Sequence, residues 1–184
     1  MKPRIIAVIV GSTSDLPQCQ AGLELLKSRE ATGNIKVEGV YVRSIHRMTE
    51  QTLQLVRDLA PRVDVLITGA GWANHLTGTV DAYLRYMLRN DTVVVLGVAF
   101  GDPDYEILST AAKLSISEVP GTQVVFRGSG NKQFFGGEGF TDACVLAAIG
   151  ALPKIELPPL KEPIDFTVEA ALQFIREQKP KEVK

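Results

Sequence analysis

Arg4-Ile5-Ile6-Ala7-Val8-Ile9-Val10-Gly11-Ser12-Thr13-Ser14-Asp15 is the stretch that decides the fold. Ile5–Val10 is a short β-branched run with no polar alternation, as a strand covered on both faces requires. Gly11 ends it. Asp15 then reads as an N-cap, with Pro17 in the first turn, where its missing N–H costs nothing. Leu16, Cys19, Leu23 and Leu26 follow at helical spacing, so Leu16–Arg29 is expected to be a helix. Strand, polar turn and helix in that order make the first half of a βαβ unit.

The same order recurs along the chain. Val37–Val42, Val63–Thr68, Thr92–Ala99 and Gln123–Phe126 read as further strands, the run at Thr92–Ala99 apolar enough to be central. Thr49 is placed to cap a helix that buries Leu53, Val56 and Ala60 and stops at Pro61. Another helix begins near Leu76–Thr79 and ends before Asn90. Two more cover Tyr105–Ser115 and Phe140–Leu152. Strands separated by helices of about ten residues or more imply right-handed crossovers. The expected fold class is α/β, a three-layer sandwich around a five-stranded parallel sheet.

Two segments break the rhythm. Gly128–Gly137 is glycine-rich and carries Phe134 and Phe135; it reads as a surface loop, with a lid or subunit contact as the alternative. Pro153, Pro158-Pro159 and Pro163 mark an extended arm. Beyond it, Phe166, Ala170 or Ala171, and Phe174 share one face of a helix over Phe166–Gln178, expected to pack on a neighbouring subunit. Residues 1–152 therefore form the α/β domain, and residues 153–184 an arm and helix.

Composition narrows the function. Of 184 residues, 45% are hydrophobic and 22% charged, with a formal net charge of −1, so neither nucleic acid nor an anionic membrane is a default partner. Cys19 and Cys144 lie in helix-like apolar patterns without metal-ligand spacing and read as buried thiols. Met1-Lys2-Pro3-Arg4 shows no signal-peptide pattern and no apolar run reaches transmembrane length, so a cytoplasmic location is expected.

Three polar clusters carry the chemistry, each just after a strand-like run, where parallel α/β sheets place their ligands. In Gly11-Ser12-Thr13-Ser14-Asp15, a glycine turn into a helix start offers backbone N–H groups and hydroxyls to a phosphate monoester. It lacks the Lys of a Walker loop and the spacing of a dinucleotide fingerprint. The plainer reading is a Ser/Thr-rich helix cap, with Asp15 as the cap or as an acceptor for sugar hydroxyls. Ser44-Ile45-His46-Arg47 adds a permanent cation that can fork onto phosphate and a side chain that gives and takes protons near neutrality. Standing alone, His46 would be an exposed loop residue. The third cluster, Gly69-Ala70-Gly71-Trp72-Ala73-Asn74-His75-Leu76, lets a planar ring approach the backbone and supplies the chain's second histidine, as a catalytic, binding or orienting group.

Together these clusters resemble the PurE family of purine biosynthesis, the 5-carboxyaminoimidazole ribonucleotide mutases and the aminoimidazole ribonucleotide carboxylases. Gly11–Asp15 matches the family's Gly-Ser-x-Ser-Asp, Ser44–Arg47 matches Ser-Ala-His-Arg with one apolar swap, and Gly69–Gly78 matches Gly-Ala-Gly-Gly-Ala-Ala-His-Leu-Pro-Gly except at Trp72, Asn74 and Thr77. The resemblance spans residues 4–152. It implies a flavodoxin-like fold, a homo-octamer with sites between subunits, and a phosphoribosyl aminoimidazole substrate with carbon dioxide as the transferred group. No metal or organic cofactor is implied. Ser12, Asp15 and Arg47 would hold the ribose phosphate, Gly11 and Ser14 of the same turn are counted with the substrate-binding residues, and Ser44, Gly71, Ala73 and Leu76 would line the imidazole and carboxylate pocket. His46 would be the general acid/base, with His75 beside it as a second catalytic group. Asn74, Gly78 and Asp81 resemble the carboxylase branch, whereas Arg47 and His75-Leu76 resemble the mutase branch. The alternatives to the mutase are direct carboxylation, or a divergent paralogue that binds another phosphoribosyl or nucleotide ligand.

Overall fold

The computed structural model describes residues 2–102 and 104–178. Four parallel strands, β1 (Arg4–Val10), β2 (Ile35–Val42), β3 (Val65–Ala70) and β4 (Val94–Ala99), form one sheet in the order β2-β1-β3-β4. Each apolar run sends alternate residues to opposite faces, and both faces of the central strands are lined almost entirely by apolar side chains. Ile6, Val8 and Val10 join Ile67, Leu96 and Val98 on one face. Ala7, Ile9, Leu66 and Val95 point to the other.

Helices cover both faces. α1 (Gln20–Ala31), α4 (Glu106–Ser117) and α5 (Gly136–Ile149) bring Leu26, Ala112, Ile116, Phe140 and Ala143 onto the first face. α2 (Thr49–Leu59) and α3 (His75–Ala82) bring Val56, Leu59, Leu76 and Val80 onto the second. The expected three layers are therefore present. At the C-terminus of α5, Arg4 donates to the carbonyls of Ala147 (2.7 Å) and Gly150 (3.1 Å), satisfying acceptors that the helix leaves unpaired.

The sheet has four strands, not the expected five. Gln123–Phe126 does run beside β4, but only Val125 pairs with it: Gly97 N–H donates to Val125 O (3.0 Å) and Val125 N–H to Val95 O (2.9 Å). On either side other partners take the backbone. Asp81 accepts from Gln123 N (2.8 Å), and Phe126 O accepts from Phe134 N (2.9 Å). The glycine-rich segment then returns, and Phe134 O accepts from Ala99 N (2.9 Å). Two short pieces of chain thus close the β4 edge in place of one strand. Phe134 is fully buried, so this segment is a structural part of the sheet rather than a free loop.

Three further differences concern helix starts and ends. Ser12, not Asp15, is the first N-cap, because a 3₁₀ turn (Thr13–Cys19) precedes α1 and the Ser12 hydroxyl accepts from Ser14 N. Thr49 does not cap α2; its hydroxyl donates back to Ile45 O. α3 continues into a π turn (Tyr83–Met87), within which Arg85 is fully buried.

The expected arm begins on the domain. Ile155 is buried in the core, Gln123 and Glu156 are hydrogen-bonded, and Arg89 donates to Pro158 O (2.8 Å). Beyond it α6 (Val168–Glu177) buries no residue, though the Phe166 and Phe174 rings meet at 5.2 Å. Residues 179–184 of the expected tail lie outside the described residues. No described helix is long and apolar enough to cross a membrane.

Candidate active site

β1 lies between β2 and β3, so the connections leaving the carboxyl ends of β1 and its neighbours part in opposite directions. A crevice opens at such a switch point. Gly11 makes the junction tight: its N–H donates to Gly69 O (2.9 Å), and a Cβ there would sit 2.9 Å from the Ala70 Cβ. The three polar clusters meet here around one cavity of about 510 Å³. Every residue given a catalytic or substrate-binding part from the sequence lines it, whereas Asn74, Gly78 and Asp81, which resemble the carboxylase branch, do not. Gly11, Ser12, Ser14 and Asp15 come from the β1 turn, Ser44, His46 and Arg47 from the β2 turn, and Gly71, Ala73, His75 and Leu76 from the β3 turn.

Each turn is fixed by buried neighbours while its functional groups stay accessible. Ile45 is buried, and Ser44 O accepts from Met48 N (2.8 Å) and Arg47 N (3.2 Å), so His46 and Arg47 stand exposed on an ordered turn. His75 is exposed between two buried residues, Asn74 and Leu76. Asn74 caps α3 by accepting from Thr77 N (3.1 Å) and donates to Val98 O (2.9 Å). The result is a direct contact between the two histidines: His46 Nε2 and His75 Nδ1 are 2.8 Å apart, with ring centroids at 4.9 Å. One of these facing nitrogens carries the proton and the other accepts it, so each ring dictates the tautomer of its neighbour.

Asp15 is the buried acid of the site, enclosed between Gly11 and Gly71. Burial pushes its carboxyl above the ordinary 3.8, and the backbone amides of Ser12 and Gly71 pull it part of the way back. A raised value means that ionisation costs the folded state. The stabilising contribution is fully present below the ordinary carboxylate value and is lost as pH rises through the raised one. Asp15→Asn is therefore expected to melt at or above the wild-type temperature near neutral pH. The gap should close as pH falls toward 3.8. Thermal unfolding across that range checks it; a variant less stable at neutral pH would make the carboxylate a net structural partner.

The residues missed from the sequence come from the end of β4. Phe100 N donates to Ala70 O (3.0 Å), and Phe100-Gly101-Asp102 helps to line a second chamber of about 330 Å³. Ser14, Asp15, Gly71 and Trp72 belong to both chambers. Applying the strand-end rule to Thr92–Ala99 as well would have found these residues. Of the three departures from the family motif, two serve the fold. Asn74 ties α3 to β4, and Thr77 is buried with its hydroxyl 3.0 Å from that of Thr68 on β3. Trp72 alone faces the cavity.

A cleft of about 560 Å³ beside α1 and α5 is a poorer candidate. It carries Glu24, Glu138 and Asp142 against Lys132, which Glu138 already pairs at 3.0 Å. No histidine lines it. Among the described residues, no group of three or more His, Cys, Asp or Glu could hold a metal ion. Cys19 and Cys144 are buried, and burial pushes the Cys19 thiol up to about 12 and the Cys144 thiol well above the ordinary thiol range, so they are poor nucleophiles.

A family model described as AIR carboxylase matches residues 5–125, which hold β1 from Ile5 onward, the other three strands and all three turns. No curated protein matches the chain. Among solved structures, Treponema denticola PurE aligns at 22% identity and a TM-score of 0.46, over 76% of this chain and 75% of that one. A variant of PurE2 from the same organism aligns at 20% identity and 0.48, over 68% and 70%.

Proposed function

Because the chain belongs to the AIR carboxylase family, and is thereby a purine-biosynthesis enzyme of the mutase or carboxylase type, we propose that it forms 4-carboxyaminoimidazole ribonucleotide by carboxylate transfer from the N-carboxy isomer. The phosphate lies against the hydroxyls of Ser12 and Ser14 and the Arg47 guanidinium, a permanent cation with planar donors. Asp15 accepts from ribose hydroxyls. Ser44, Gly71, Ala73 and Leu76 surround the imidazole and its carboxylate.

His46 moves the proton. In its protonated form it gives a proton to the carbamate-bearing nitrogen as the N–C bond breaks and carbon dioxide leaves. Ring carbon four then bonds to that carbon dioxide, and His46 takes back the proton that carbon four carried. The proton count closes without an external acid or base. His75 holds the His46 ring and sets which of its nitrogens is protonated, as second partners of catalytic histidines do. The observation that carries this reading is the 2.8 Å contact of the two histidines on a cavity that also holds Ser12, Ser14 and Arg47.

Purified protein is expected to turn over the N-carboxy isomer without bicarbonate faster than aminoimidazole ribonucleotide with it. The reverse order would make the enzyme a carboxylase. Turnover of neither would leave a paralogue that uses the site for another phosphoribosyl ligand. The buried structural roles of Asn74 and Asp81 supply their own reason for being there, so neither residue argues for direct carboxylation.

The assembly we propose is a cytoplasmic homo-octamer with α6 packed on a neighbouring subunit. The support is the helix itself: Val168, Leu172, Phe174 and Ile175 are exposed. Removing residues 162–184 keeps Ile155 and the Pro158 contact in place and is expected to lower the number of subunits per particle, read as light-scattering mass divided by the shortened chain's mass. An unchanged subunit number would make α6 dispensable for assembly.

A further inference from the structure

Trp72 combines two features that packing does not explain. Its φ of 56° lies in the left-handed region, where a bulky side chain is an outlier and glycine is at home. Its side chain is also 71% exposed. No core contact is gained in return for the strained backbone. Strain retained without a packing reason is found at ligand-binding positions, where the conformation aims a side chain. Here it aims the indole at the boundary of two chambers, one lined by His46, His75 and Arg47 and the other by Asp102 and Asp104.

The composition of that boundary narrows what the indole can do. The polar groups of the site, namely the Ser12 and Ser14 hydroxyls, the buried Asp15 and the Arg47 guanidinium, suit a ribose phosphate. None of them offers a flat apolar surface. Ala73 and Gly71 are too small to do so, and Phe100 is buried against Phe140, with ring centroids 6.1 Å apart. Among the described residues, Trp72 is the one aromatic side chain exposed on the cavity besides the two imidazoles, which are occupied with each other at 2.8 Å.

We infer that Trp72 is the stacking wall for the heteroaromatic ring of the ligand, and so the residue that makes the site select ring-bearing phosphoribosyl compounds over bare sugar phosphates. The inference rests on the functional reading above and names the side chain that enforces its substrate class. The indole stacks on the ring face, leaving the ring edge and its carboxylate to the histidines. Trp72 is a binding residue, not a proton carrier.

Trp72 is the only tryptophan in the chain, so its fluorescence reports directly on this contact. Aminoimidazole ribonucleotide is expected to change the emission of the wild-type protein strongly, and ribose 5-phosphate to leave it nearly unchanged although calorimetry shows it bound. Stacking on an aromatic side chain supports about a tenfold loss of affinity on removal, so Trp72→Gly should weaken aminoimidazole ribonucleotide by that factor and ribose 5-phosphate by less than about twofold. Glycine suits the backbone at this position, so the variant is expected to fold, and Trp72→Phe should restore most of the affinity. KM should rise in Trp72→Gly with kcat little changed.

An equal loss for both ligands, or ring-ligand binding with no change in emission, would overturn the stacking role. A fall in oligomer mass in Trp72→Gly would overturn it in favour of a subunit contact. If neither ligand binds the wild-type protein in calorimetry, the phosphoribosyl reading of the site fails, and the stacking role fails with it.

Discussion

His46→Asn is expected to lower turnover by about 10²–10⁴-fold while ligand affinity stays near that of the wild type. Asparagine keeps a polar group near the His46 position, so binding through Ser12, Ser14 and Arg47 persists. It cannot take up and release a proton near neutral pH. If one residue serves both half-reactions, its loss leaves the first to take its proton from solvent and the second to release its proton there, and the loss should appear in kcat rather than in KM. His75→Asn should be milder. It removes the partner 2.8 Å from His46 Nε2 and loosens the tautomer and orientation of the ring, but leaves the shuttle in place. Steady-state kinetics on the N-carboxy isomer separate the two. A His46→Asn enzyme with substantial turnover, or a His75→Asn enzyme that is the worse of the pair, would move the proton route to His75.

The largest effect on stability is expected at Asp81, outside the cavity. Asp81 and Arg85 form a buried ion pair at 3.0 Å, with side-chain exposures of 3% and 0%. The other carboxylate oxygen accepts from Gln123 N (2.8 Å) and Thr122 Oγ1 (3.2 Å), while Arg85 also donates to Asn90 O and Val93 O, both at 2.8 Å. Burial disfavours the charged guanidinium, and Asp81 is the first of the groups that offset this. Asp81→Ala leaves that cation buried without its partner, a change that costs about 3–5 kcal/mol. Urea unfolding measures it. The same change should speed amide exchange at Gln123 and Val125, because Asp81 holds the segment that closes the β4 edge. A loss below about 1 kcal/mol would mean that solvent or another acid takes over the pairing.

The contrast between these two residues shows what the sequence makes legible. His46 stands out because the signal is local: a histidine beside an arginine, just after an apolar run, marks a strand end and a candidate proton carrier. The strands at Ile5–Val10 and Thr92–Ala99 are legible for the same kind of reason, since an unbroken β-branched run has few other uses. Asp81 stands out in the sequence only through the family resemblance, and its structural value depends on Arg85 one turn along and on Thr122 and Gln123 arriving from a distant segment.

The β4 edge is illegible for a related reason. Gln123–Phe126 has the residues of a strand, yet Asp81 and Phe134 claim its backbone groups, and nothing local in Gly128–Gly137 says that Phe134 will turn into the core. The Ser12 cap and the 3₁₀ turn were hidden because Ser12, Ser14 and Asp15 are all good caps, and only the geometry of the turn selects among them. Trp72 is visible as a large residue among small ones, but its left-handed backbone is not written in its identity. The cavity itself was accessible from sequence because the rule that gathers strand ends at a switch point is a rule of topology, and the topology was legible.

The most direct measurement is a crystal structure of the protein with 4-carboxyaminoimidazole ribonucleotide. The expected complex has the phosphate on Ser12, Ser14 and Arg47, the ribose against Asp15, and a ring nitrogen of His46 facing carbon four of the ligand. A ligand seated in the cleft beside α1 and α5, or bound in the cavity with its phosphate on the histidine pair and its ring away from His46, would contradict the account.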